Sequence, residues 1–462
     1  MSVDCYLLNG LIVTEVDTFS GGVSIDGGKI VEVLPGSPAV QAKKTVDLHG
    51  NIVMPGVVDS HVHLNEPGRT EWEGFTTGTM AAAAGGITTV LDMPLNNIPY
   101  TTNRQALFAK RFAVVDKAVV DYGLWGGLVD NNLADLDGLR DEGVIAFKAF
   151  MSESGVDFKY IQDDVLFLGL QWMKKTGSLL GVHAINEPVS RYLRMKMIEA
   201  GRKDRRAWGE AFPPEGELEA ILRAIYWARV TGGRLHVVHV SIASGLHAIT
   251  EARRQGVQVT GETCPHYLCL NLDDFERIGP AAKCAPPIRS QSEVDTLWQC
   301  LLDGEVELIA SDHSPSTWAE KEGGLENIWQ AWGGISGLQT MLPLMLSAGH
   351  NQRGVPLPAL VRLMCANPSR LYGLYPQKGV IAPGADADLV IVNLHQSWTL
   401  AAEDLLYQNP ISPFIGRNFQ GKVIRTIVRG ETVYEQGKIK VQPGFGRFLR
   451  PLAAPMKSET RD

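Results

Sequence analysis

In Gly56-Val-Val-Asp-Ser-His-Val-His-Leu-Asn-Glu-Pro-Gly68, two histidines, His61 and His63, stand two residues apart at the end of an apolar run that begins at Ile52. Side chains on a strand alternate between faces, so residues i and i+2 point the same way. If the run is a strand, two imidazoles converge from one rigid backbone. That suits a divalent ion such as zinc, which takes His nitrogen at about 2.0–2.1 Å. A bare His-x-His also arises with no metal, so the reading depends on whether the rest of the chain supplies more ligands.

Working outward, residues 53–377 alternate short apolar runs with longer helical stretches. After the run into His61 come Ile87–Met93, Asp121–Leu128, Val144–Phe150, Leu179–His183, Arg234–His239, Gln258–Cys264 and Glu307–Asp312. Eight strand-like runs with helices between them predict a (β/α)₈ barrel, an α/β fold whose chemistry sits at the C-terminal ends of its strands. A doubly wound open sheet competes, but no Gly-rich phosphate loop of the expected form follows the first strand.

The two ends of the chain share a different texture. Short strands are expected at Cys5–Leu8, Leu11–Val13, Val23–Ile25, Ile30–Val33 and Thr45–Leu48, with turns at Asn9-Gly10 and Asp26-Gly-Gly28. Asp388–Asn393, Val423–Val428 and Thr432–Tyr434 repeat the pattern. Residues 1–52 and 378–443 together predict one small, discontinuous β-sandwich domain, with the barrel of 53–377 inserted. Residues 444–462 are expected to form a surface arm or a packing strap.

Composition narrows the function classes. Of the 462 residues 45% are hydrophobic and 20% charged, with a net charge of −8, so no basic face for nucleic acid or an anionic membrane is indicated. No signal segment opens the chain, and no run approaches the roughly 18 apolar residues of a membrane span. The six cysteines are scattered, which argues for reduced thiols in a cytoplasmic protein. Cys264 and Cys269 can be read as a zinc loop or as buried thiols. No second pair follows at finger spacing.

Under the barrel reading, ligands belong where strands end. His61 and His63 end the first run, Lys148 lies near the end of the fourth, and His183, His239 and Asp312 close the fifth, sixth and eighth. Lys148 is flanked by apolar residues on both sides. An unpaired buried ammonium is costly, and desolvation lowers its pKa and frees the amine for chemistry. One product is a carbamate with CO₂, whose two oxygens can bridge two metals. The alternatives are a lysine paired with a nearby acid, core histidines satisfied by hydrogen bonds, and an Asp312 that caps a helix. Six such residues at strand ends of one barrel favour a single joint cause.

These residues, with Asp59–Phe75, Ala81–Thr89, Asp92–Asn96, Ser311–Pro315 and Ser412–Arg417, give the chain a motif set that resembles the amidohydrolase superfamily. The resemblance spans essentially the whole chain. It is specific to the cyclic-amidase branch of dihydroorotases, hydantoinases and allantoinases, and within that branch it is closest to the allantoinases. It implies that His61, His63 and Asp312 hold one metal, that His183 and His239 hold a second, and that carboxylated Lys148 (N6-carboxylysine) bridges both. Two divalent ions are implied, with zinc first and cobalt, manganese or iron as alternatives. Asp312 is the implied proton carrier, and a homotetramer is implied as the assembly. A non-enzymatic relative that keeps the fold and loses ligands is set aside, since all six positions are filled.

Specificity is expected from the surroundings. Dihydroorotases bind an anion with Arg two residues after the second histidine, whereas this chain has Asn65. Hydantoinases place Tyr five residues after the bridging lysine, whereas this chain has Glu153. Allantoin, a neutral ureide, suits Asn65. Asn96, Ser314 and the backbone of 284–287 and 333–336 are further candidates for contact. The family's His-x-Glu-Asn appears here as His183-Ala-Ile-Asn-Glu187, which leaves two readings open, that Glu187 replaces the missing acid from a different angle or that the groups behind the ligands differ, and metal preference depends on which holds. The segment Trp318–Trp332 is open to two readings, a lid or a packing and subunit surface.

Overall fold

The structure is a computed structural model and describes residues 2–452. All eight expected runs contain strands: Val57–Val62, Ile87–Asp92, Asp121–Leu124, Phe147–Phe150, Leu179–His183, Arg234–Val237, Val259–Thr263 and Leu308–Ile309. The first three pair in parallel, as do the last five. The third strand continues through Trp125 into Gly126–Gly127, which pairs with the fourth. A parallel bridge between Val62 and His313 closes the ring, with the His63 N–H donating to the His313 carbonyl at 2.8 Å. Val57–Val62, Ile87–Asp92 and Phe147–Phe150 are buried throughout, as expected of strands covered on both faces. A Cβ at Gly181 would meet the Trp125 ring at 2.8 Å, so the fifth strand carries glycine opposite the bulkiest side chain of the interior.

The outer helices are set by their ends. Asn103, Asn186 and Ser290 cap Arg104–Val114, Glu187–Glu199 and Gln291–Leu302 by accepting a backbone N–H of the first turn. Gly177 and Gly232 take left-handed conformations where Asp163–Thr176 and Pro214–Thr231 stop.

The two ends of the chain join in one nine-stranded mixed sheet. Ile52–Pro55 is its central joint, parallel to Leu11–Ile12 and antiparallel to Leu389–Val392. This sheet has its own core, in which Leu7, Val23 and Val53 meet Leu389, Ile391 and Ile427. Two sequence expectations need correction. The apolar run from Ile52 is two strands in two different sheets, divided at Gly56, where a Cβ would run into the Thr88 side chain. Asn9-Gly10 is a bulge inside a single strand, Val3–Val13, because the partner strand Thr18–Asp26 continues past it with a shifted register.

A buried ion cluster ties the sheet to the underside of the barrel. Lys378 Nζ reaches Asp121 (2.5 Å), Asp388 (2.7 Å) and Asp386 (2.9 Å), and Arg429 also pairs with Asp121. The three carboxylates are thus already held by cations of the chain itself. Residues 444–452 run as a strap beside Ala118–Tyr122, with Tyr122 N–H donating to Arg447 at 2.9 Å and Leu449 N–H to Tyr122 at 2.7 Å. The rest of the expected arm, 453–462, lies outside the described residues.

Candidate metal centre

The six candidate ligands converge at the C-terminal mouth of the barrel. His61 Nε2 lies 3.2 Å and His63 Nε2 3.5 Å from Asp312 Oδ1. His183 Nδ1 lies 2.9 Å from His239 Nε2, and the His61 ring sits 5.4 Å from both the His63 and His239 rings. Lys148 Nζ stands 5.1 Å from the Phe150 ring, which stacks on His183 at 4.6 Å. His239 and Asp312 have positive φ angles, 41° and 45°. Such backbone is uncommon outside glycine, Asp and His are among the types that adopt it most readily, and it recurs at functional sites. Asp312 therefore follows its strand in a left-handed turn and caps no helix.

The chemistry of the donor set fits a pair of cations. Lys148 is fully buried and its Nζ has no hydrogen-bond partner. Burial pushes it down to about 8, against the pull of Asp312 and Glu262. His183 is pushed down to about 3 and His239 well below its usual value, first by burial and then by neighbouring cationic groups. Imidazoles held neutral are ready to ligate. Burial raises Asp312, but the charge on His61 and the hydrogen bond and charge of His63 outweigh it and leave the carboxyl at about 2. The result is a compact set in which His183 and His239 are held neutral beside an ionised carboxylate and an unsatisfied amine.

One residue escaped the sequence reading. Glu262, on the seventh strand, accepts from His61 Nδ1 at 2.6 Å, His236 Nε2 at 3.1 Å and Ser60 Oγ at 3.2 Å. It fixes which ring nitrogen of His61 faces Asp312, the role of carboxylates behind ligating histidines generally. The charges and hydrogen bonds of His61 and His236 hold its own carboxyl well below the usual range despite burial. Glu187 does not stand in for the absent acid: its carboxylate accepts the Glu153 N–H at 3.0 Å. Glu262→Gln should lower metal affinity by about 10–100-fold, read by competition with a chelator, at unchanged fold; an unchanged affinity would refute the orienting role. Asp59 is a second such residue, its Oδ1 accepting the N–H groups of His61 (3.3 Å) and Ser311 (3.0 Å), so that it locks the first strand to the eighth.

Of the candidate substrate contacts, Asn65 lies two residues after His63, Ser314 two after Asp312 and Asn96 in the loop after the second strand, and none of the three lines the cleft beside His183. Asn65 and Asn96 both have left-handed backbone, φ 59° and 68°, which Asn tolerates. Both are buried; neither polar atom of the Asn65 amide has a partner, and Asn96 Oδ1 lacks one too. Ser314 is held by its N–H to the Ile335 carbonyl at 2.9 Å. A cleft of about 330 Å³ opens beside His183, lined by Glu153, Lys283, Trp329, Trp332 and Gly333 among others. The Trp-rich segment is thus a wall of the cleft. All six cysteines are free thiols, and among the described residues neither Cys264 nor Cys269 joins a group of three side chains that could hold a metal, so the structure gives the zinc-loop reading no support.

Residues 52–433 match the Amidohydrolase family. An allantoinase of Rubrobacter xylanophilus is 46% identical over 411 residues, 89% of this chain and 90% of that protein. An allantoinase of Deinococcus radiodurans is 44% identical over 453 residues, 98% of this chain and 99% of that one. Among solved structures, the L-hydantoinase (dihydropyrimidinase) of Arthrobacter aurescens superposes with a TM-score of 0.95 at 36% identity, covering 97% of this chain and 100% of its own.

Proposed function

The chain belongs to the amidohydrolase family, and from that premise we propose that it hydrolyses the cyclic amide bond of allantoin to give allantoate. The observation that carries the choice of substrate is Asn65, a buried amide with both polar ends free beside the His61–His63 pair. It offers a donor and an acceptor to a neutral ureide, and no cation for a carboxylate.

In this reading His61, His63 and Asp312 would hold one divalent ion, His183 and His239 would hold the other, and the carbamate of Lys148 would serve both. Two such ions, with zinc the first candidate for a His and carboxylate set, would supply the Lewis acidity that activates a water and polarises the scissile carbonyl. The residues do the rest. Asp312 takes the proton lost by the attacking water onto a carboxylate oxygen and returns it to the ring nitrogen as the C–N bond breaks. Glu262 keeps His61 in one orientation meanwhile, and Asn65 holds the ring. Water adds across the amide, one ring bond opens, and a carboxylate is left.

The assembly in this reading is a homotetramer. Its support is two helices with exposed apolar rows, Val189, Tyr192, Met195 and Ile198 on one and Leu222, Tyr226 and Val230 on the other. No helix among the described residues is long and apolar enough to cross a membrane.

The test is a substrate panel of allantoin, dihydroorotate and hydantoin, run with metal quantification. Turnover is expected on allantoin, with little or none on dihydroorotate. Asn65→Gly, which removes the amide and keeps the left-handed backbone at φ 59°, should raise KM for allantoin about tenfold, the worth of one or two hydrogen bonds of about 0.5–1.5 kcal/mol each. Comparable rates on dihydroorotate would sink the assignment.

A further inference from the structure

The outer wall of the cleft is assembled from three stretches, 202–208, 280–285 and 318–334, and two lysines join them from inside. Lys283 and Lys321 are 3% and 1% exposed, and neither has a carboxylate partner among the described residues. Lys283 Nζ donates to the carbonyls of Ala331 (2.6 Å) and Ile328 (2.8 Å) and stands 3.9 Å from the Trp208 ring centroid. Lys321 Nζ donates to the carbonyls of Gly334 (2.7 Å), Trp332 (3.2 Å) and Pro280 (3.3 Å). The Lys283 carbonyl in turn accepts the Gly334 N–H at 2.8 Å. Five backbone carbonyls from two loops are thus gathered by two side chains.

A buried ammonium with no acid beside it is unfavourable unless its N–H groups are satisfied. A solvent-exposed loop has no use for two of them. Here two of the five acceptors, on Ala331 and Trp332, belong to residues that line the cleft, where Lys283, Ala285 and Gly333 stand beside them together with His183. We infer that Lys283 and Lys321 are positioning residues that fix the backbone of 284–285 and 331–334 in the shape the substrate meets, so that the Trp318–Trp332 segment is a permanent wall and not a moving lid. The inference rests on the proposed function in one respect, that this cleft receives the cyclic amide.

The tryptophans brace the same construction. Trp208 Nε1 donates to the Cys284 carbonyl and Trp329 Nε1 to that of Arg202, each at 2.8 Å, while Trp332 packs on Trp72 at 4.7 Å between rings. A Cβ at Gly334 would run into the carbonyl oxygen of Ser314, so the wall seats directly on the loop after Asp312. Burial pushes both lysines down to about 7, Lys283 also through the neighbouring charges of Lys321 and Arg194. A neutral amine keeps two N–H donors, enough for the two carbonyls of Lys283. Its clamp therefore persists in either protonation state.

The test compares intact, metal-loaded wild type with Lys321→Met and Lys283→Met, by steady-state kinetics on the cyclic amide the wild type turns over best and by amide hydrogen exchange. Each variant should raise KM about tenfold, with kcat and metal content within about threefold. Exchange across 328–334 should quicken by about tenfold or more while the barrel strands stay protected. A merely structural role would lower the thermal midpoint and the active fraction without moving KM, and that result would overturn the inference. So would a wild type whose 328–334 amides exchange freely until a cyclic amide is added, the behaviour of a lid. This last measurement needs no variant to fold. It also separates the two ideas: a wild type inactive on every cyclic amide but protected at 328–334 retains the clamp and loses the functional reading.

Discussion

Lys148→Ala should yield a folded protein that no longer retains metal and whose kcat/KM is lower by about 10³-fold or more, with acetate or propionate partly restoring both. The expectation comes from the state of the Nζ atom. It is fully buried without a hydrogen-bond partner, and the nearest carboxylates are committed elsewhere: Glu262 to His61, His236 and Ser60, and Asp312 to His61 and His63. The reading in which Lys148 simply pairs with an acid is thereby closed. Burial also holds the amine near 8, so a nucleophilic fraction is present at neutral pH. In the proposed state the amine would add to CO₂ with formation of an N–C bond and loss of a proton, so that a carbamate with two oxygens would replace the unsatisfied amine. Alanine removes those oxygens and leaves a cavity of the lysine's length, which a short carboxylate can enter. The fold should tolerate the change, because an unsatisfied amine contributes little to stability. Full metal occupancy in the variant, measured by elemental analysis, would disprove the bridging role.

The candidate ligands were legible because each lies at the end of an apolar run, where a polar side chain has no reason to be in a barrel core. Lys148 stood out most, in a strand otherwise buried and apolar. Glu262 obeys no such signal. It sits within Val259–Thr263, and its partners His236 and His61 come from 26 and 201 residues away, brought together by strand register and ring closure. Glu187 looked better from the sequence because it is close to His183, yet the helix that starts there turns its carboxylate to the Glu153 backbone. The same limit explains Gly56 and the Asn9-Gly10 bulge, where the deciding contact is a second strand that local pattern does not name. Lys283 and Lys321 were invisible for a related reason: their acceptors are backbone carbonyls, which every residue carries.

Asp312→Asn should lower kcat by about 10²–10⁴-fold, the usual range for loss of a positioned proton carrier, while much of the bound metal is retained. Asparagine is the informative replacement. The φ of +45° at this position is one that Asp and Asn both tolerate and alanine does not. The substitution therefore leaves the backbone at rest and changes only charge and proton affinity. The amide can still offer an oxygen toward His61 and His63, at the present 3.2 Å and 3.5 Å, so those rings need not move. It can neither accept a proton from the attacking water nor hand one to the leaving nitrogen. Because that work is done in the transition state alone, kcat and kcat/KM should fall together while KM stays near its wild-type value. Loss through ligation predicts a different pattern, in which activity tracks metal content and returns when excess metal is added. A variant with full metal and kcat within tenfold of wild type would assign the proton transfer to another group, and His266, buried with a free Nε2 and within electrostatic reach of Asp312, would be the first to examine.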